Sequence, residues 1–70
     1  MIKADKLDVV WDGGKKNWVI VIQAGEEVLR RVLARRLSRD ASDEVLRSMA
    51  QQTASDDGYE IDAGRVRFSR

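Results

Sequence analysis

The chain contains neither cysteine nor histidine, and those two absences remove most routes by which a short protein does chemistry. Without imidazole or thiol there is no ordinary general base near neutral pH, no sulfur nucleophile and no usual zinc ligand. No disulfide framework marks an oxidising compartment. Long apolar runs are missing too: none approaches the ~20 residues of a membrane helix. The opening Met1-Ile2-Lys3-Ala4-Asp5 lacks the apolar core of a signal peptide. A cytoplasmic, non-enzymatic protein is therefore the expectation, with no catalytic residue, cofactor or metal assigned.

A strong charge of one sign is also lacking. Thirteen Lys and Arg against twelve Asp and Glu leave a net charge of +1, too weak by itself to indicate nucleic acid. The length of 70 residues fits one domain, 1–70, which buries only ~60% of its unfolded surface. One core of this size supplies ~3–5 kcal/mol, and small domains add disulfides, metals or self-association. With no Cys or His, self-association is the device left.

Residues 17–37 organise what is present. Lys6 onward alternates, with Leu7, Val9 and Trp11 on one side and Asp8, Val10 and Asp12 on the other. Asp12-Gly13-Gly14-Lys15-Lys16-Asn17 supplies a turn, its glycines free to take positive φ. The returning strand places Trp18, Ile20 and Ile22 on one face and Val19 and Val21 on the other. A loop of residues 13–16 sets Trp11 opposite Trp18, Val9 opposite Ile20 and Leu7 opposite Ile22. A two-residue slip would set Trp11 against Lys16. Val10, Val19 and Val21 make the second face apolar as well, where a wet face would be polar. Those three valines are the candidate interaction surface, for a protein partner or a second copy of the chain.

After Gln23-Ala24-Gly25, the residues Val28, Leu29, Val32, Leu33 and Leu37 recur at helical spacing. Glu26 and Glu27 fit the positive end of a first helix and lie at i,i+4 to Arg30 and Arg31. Arg36 falls in the middle of the apolar stripe, an anomaly on an ideal helix. Ser42 or Asp40 caps a second helix carrying Val45, Leu46, Met49, Ala50 and Thr53, stopped by Asp56-Asp57-Gly58. The tail alternates again. Either Tyr59 and Ile61 pair with Phe68 and Val66 as a hairpin, with Glu60 facing Arg67, or residues 65–68 alone join the sheet.

The expected fold is a two-layer α+β domain. An antiparallel sheet of residues 7–11, 18–22 and 65–68 carries two helices on one face. The expected core is Leu7, Val9, Trp11, Trp18, Ile20, Ile22, Val28, Leu29, Val32, Leu33, Leu37, Val45, Leu46, Met49, Ile61, Val66 and Phe68.

Charge is segregated along the chain. Residues 30–39 hold five cations and no acid, and residues 40–62 hold seven acids against the single Arg47. The cluster Arg30, Arg31, Arg35, Arg36 and Arg39 is the alternative site: an arginine-rich first helix meeting nucleic acid or another anionic partner. Cations near a helix end paired with neighbouring acids give the plainer explanation. A third reading is a small inhibitor whose Asp40, Asp43, Asp56 and Asp57 imitate phosphates. Gly13-Gly14-Lys15-Lys16 lacks the spacing of a phosphate-binding loop, and Asp56-Asp57-Gly58 lacks that of a calcium loop. Trp11 and Trp18 serve either as core or as a stacking platform.

The order strand, helix, connector, helix superficially resembles ribbon–helix–helix repressors. In those, strand residues reading bases are polar, whereas here Val19 and Val21 are apolar and Asp40-Ala41-Ser42-Asp43-Glu44 would repel phosphate. Trp18-Val19-Ile20-Val21-Ile22, Glu26-Glu27-Val28-Leu29, residues 43–50 and Gly64-Arg65-Val66-Arg67-Phe68 resemble the bacterial family called domain of unknown function 1488. That resemblance implies a hairpin, two helices and a terminal strand, and it brings no activity and no functional residues.

Overall fold

A computed structural model describes residues 1–33 and 35–69. The fold is α+β. Four strands form one mixed sheet, two short strands form a second, and the described residues contain a single α-helix. In chain order these are β1 (Ile2–Lys3), β2 (Lys6–Asp12), β3 (Asn17–Ala24), β4 (Glu27–Val32), α1 (Asp43–Asp56), β5 (Tyr59–Glu60) and β6 (Val66–Ser69). The larger sheet runs β4-β3-β2-β6, and β1 pairs with β5 alongside.

The hairpin takes the expected register. Trp11 faces Trp18, Val9 faces Ile20, and Leu7 faces Ile22. The Trp rings meet edge to face with centroids 5.4 Å apart, a geometry the aromatic quadrupole favours. Asp12 shapes the turn by accepting from the Gly14 and Lys15 amides at 2.9 and 3.1 Å. The residue that takes positive φ here is Lys16, at 52°, rather than Gly13 or Gly14.

The first helix does not form. Residues 27–32 are β4, antiparallel to β3, with Ile22 opposite Leu29 and Ile20 opposite Arg31. A helical stripe at 28, 29, 32 and 33 contains within it the alternation Leu29, Arg31, Leu33 against Val28, Arg30, Val32. The two-residue turn that joins β3 to β4 decides between them. Gly25 sits at φ 61°, which suits the first central position of a type II′ hairpin turn, and its amide donates to Asp5 Oδ2 at 2.7 Å. Glutamate–arginine pairs at i,i+4 contribute only ~0.2–0.5 kcal/mol each. They are outweighed once β3 offers a ladder and a buried face. Glu26-Glu27-Val28-Leu29, which the family resemblance set at a helix start, is thus turn and strand.

The remaining helix matches its expected start and stop. Ser42 Oγ accepts from the Val45 amide at 3.2 Å, Asp43 and Glu44 occupy the first turn, and Gly58 follows at φ 87°. Its buried row is Leu46, Ala50 and Ala54, with alanines that let the helix lie close to the sheet. Val45 instead points outward.

The tail forms neither expected arrangement in full. β6 joins the sheet, but parallel to β2, with Leu7 opposite Val66 and Val9 opposite Phe68. Tyr59 and Glu60 form a strand of their own, parallel to Ile2 and Lys3. Arg67 consequently lies opposite Asp8 and not Glu60. The sheet is mixed because the chain returns to its edge only after α1 has crossed the face.

The core joins Leu7, Val9, Trp18, Ile20, Ile22, Leu33, Leu46, Ile61 and Val66, as expected, to Ala4, Ala50, Ala54 and Tyr59. Trp11, Leu29, Leu37, Met49 and Phe68 pack at its margin. Val28 and Val32 are 56% and 44% exposed, because strand alternation turns them away from α1.

Candidate functional site: an open sheet face and a cation-rimmed cleft

The helix-facing side of the sheet is the core, so the opposite side carries whatever the strands present outward. There Val10 and Val19 are cross-strand partners, Val19 and Val32 are the next pair, and Val21 lies opposite Arg30. Val10, Val19 and Val21 are half-buried, by one another and by the stems around them. With Trp11, Asp12, Gly13 and Arg30 they line a shallow groove of about 240 Å³. The three valines expected to form one surface do share one.

The five arginines do not. Arg30 lies on the open face beside Val21. Arg31 is on the helix side, its Nε 3.0 Å from Asp57 Oδ2. Asp57 caps the C-terminal end of α1, the end a helix dipole makes unfavourable for an acid, and the guanidinium offsets this. Arg35, Arg36 and Arg39 lie in the connector before α1. The conflict of Arg36 with an apolar stripe disappears, because no helix surrounds it.

The four aspartates also separate. Asp40 and Asp43 lie at the start of α1, and Asp56 and Asp57 at its end. Fourteen residues at ~1.5 Å each set these two groups roughly 20 Å apart. Among the described residues, no three His, Cys, Asp or Glu side chains are grouped as a metal site requires.

A second concavity lies at the hairpin tip. Trp11 and Leu37 supply its apolar walls, and Lys16, Arg36 and Arg39 supply cations beside them, with Gly13 and Ser38 completing the lining. Its volume is about 570 Å³. It is a broad depression, more open to solvent than the sheet-face groove.

The connector is fastened in place at this cleft. Asn17, 6% exposed, is the buried polar side chain among the described residues. Its Nδ2 donates to the Leu33 carbonyl and its Oδ1 accepts from the Leu37 amide, both at 3.2 Å. Trp18 Nε1 donates to the Ser38 carbonyl at 2.9 Å. The tryptophans therefore take different parts. Trp18 is fully buried and holds the connector, whereas Trp11 is half-buried and reaches the cleft. Asn17 and Lys16 carried no sequence signal beyond belonging to a turn, and only the connector's path gives them roles.

Elsewhere, Tyr59 Oη donates to Glu27 Oε2 at 3.1 Å. Burial first, and then this hydrogen bond to an anion, hold the Tyr59 phenol above its ordinary pKa of 10.0. Arg47 stacks over Phe68 at 5.4 Å. Its buried Nε has no hydrogen-bond partner among the described residues.

No protein-family model matches the chain, and neither a curated protein nor a solved structure matches it. Among the described residues, no helix is long and apolar enough to cross a membrane.

Proposed function

We propose that this chain is a small non-catalytic protein-interaction module that assembles with a second copy of itself through the open sheet face. The observation that carries this reading is the valine stripe of Val10, Val19 and Val21. It continues to exposed Val32 and Val28 on the side of the sheet opposite α1. A wet sheet face is polar along its strands; here Asp8, Arg30 and Arg67 share the face with an unbroken cross-strand row of Val10, Val19 and Val32. Two such faces pack in aligned fashion about 10 Å apart.

Size favours the same reading. A standard interface buries ~800 Å² per partner. The chain exposes 4564 Å² in all, so one broad side of the domain is large enough. Burying that side supplies apolar area that a core of this size lacks.

Sedimentation equilibrium over a wide concentration range tests the proposal. A concentration-dependent dimer is expected, and Val19→Lys with Val21→Lys should shift it to monomer with the fold retained. A monomer at every concentration, or a dimer indifferent to both lysines, sinks it.

A further inference from the structure

We infer that the cleft at the hairpin tip binds single-stranded nucleic acid, one base stacking on Trp11 while Lys16, Arg36 and Arg39 take the flanking phosphates. Three features meet there that the sequence keeps apart. The turn brings Lys16, the connector brings Arg36 and Arg39 some twenty positions later, and β2 brings an indole that the core covers only in part.

The pairing of an aromatic plane with cations defines the class of ligand. A phosphate alone would need no apolar wall, and an apolar peptide would need no cations. A nucleotide strand carries both a flat π-face and a phosphate on each unit. Gly13 borders the indole, where an added Cβ would stand 3.8 Å from Trp11 Nε1, an ordinary contact distance. A duplex keeps its bases stacked on one another and presents no free face to a single indole. The cleft therefore suits an unpaired strand.

The site is also held ready. Asn17 binds the connector at Leu33 and Leu37, on either side of Arg36, and Trp18 binds it at Ser38. A cation anchored this way loses less freedom on binding than one on a free loop. Lys16 is held at φ 52°, in the left-handed region that disfavours side chains other than Gly, Asn and Asp. Such conformations gather at binding sites.

The test is fluorescence anisotropy of short labelled deoxythymidine and uridine oligomers, titrated with the whole chain at low and moderate salt. Binding should weaken as salt rises and should quench tryptophan emission. Lys16→Glu with Arg36→Glu should reduce affinity roughly tenfold or more, as loss of phosphate contacts requires. Arg65→Glu with Arg67→Glu makes the same change in net charge at the opposite end of the sheet, and should leave affinity nearly unchanged. Trp11→Leu should weaken binding by roughly five- to a hundredfold, the usual value of one stacked base. If that variant does not fold, the two charge reversals still decide, because their side chains are exposed. Four results overturn the inference: no binding at low salt, equal losses from both reversals, equal affinity for duplex or polyglutamate, or equal affinity for a mononucleotide.

Discussion

Tyr59 is the residue whose environment gives the most direct solution signature. The residue is 6% exposed and its phenol donates to Glu27. Both features favour the protonated form, burial more than the bond, so the folded pKa lies above 10.0. A group with a raised folded pKa contributes stability that is complete below its unfolded value and is lost as pH rises through the folded one. Tyr59 is the chain's one tyrosine, so ultraviolet absorbance reads it alone. We expect its titration above pH 10.0, with stability falling over the same alkaline range, and Tyr59→Phe should remove that part of the fall. Asn17 offers a second residue-scale test. Asn17→Leu strands the Leu33 carbonyl and the Leu37 amide at a buried position. Each buried polar group left unsatisfied costs about 1–3 kcal/mol. A lower urea midpoint at an unchanged slope is the expected outcome.

Among the elements, β4 is decided by its turn. Gly25 at φ 61° permits the tight reversal from β3, and nothing stands within 4 Å of a Cβ built there. Gly25→Ala therefore strains only the backbone, at about 1–3 kcal/mol. Gly64 also has open space around it but no positive φ, so Gly64→Ala should be nearly neutral. Thermal unfolding of the two variants separates them, and equal effects would contradict the role given to the Gly25 turn. The apolar alternation of β2 and β3 was legible in sequence; a two-residue slip keeps the same faces, and the structure takes the alternative that pairs Trp11 with Trp18. The cap and stop of α1 were equally legible in Ser42, Asp43 and Gly58. β4 was not, because Val28, Leu29, Val32 and Leu33 satisfy a helical period and a strand period at once.

At the scale of the whole molecule, the sheet divides two tasks. One side is closed by α1, and the other stays open as the proposed contact face. β2 and β3 lie in the middle of the four-stranded sheet, whereas β1 and β5 share a two-residue ladder at the margin. Hydrogen exchange should follow that difference, since amides at sheet margins open locally before the core does. The amides of Ile2 and Ala4, bonded to the Gly58 and Glu60 carbonyls, should exchange well before those of β3. Uniform protection across the chain would contradict this order.

The sequence by itself determined the hairpin, the capped helix and a shared valine face. Each rests on local periodicity, or on pairing between neighbours in the chain, which short-range chemistry controls. Tertiary structure alone decided the rest. Long-range pairing turned the arginine segment from helix to strand, and with that it parted Arg30 from Arg31 and both from the connector. The return of the chain beside β2 made the sheet mixed. Asn17 and Trp18, anchoring a connector some twenty residues ahead, brought Arg36 and Arg39 to Lys16 and Trp11. No spacing in the chain announces that meeting, because the hydrogen bonds that enforce it run from the end of one turn to the backbone of a distant loop.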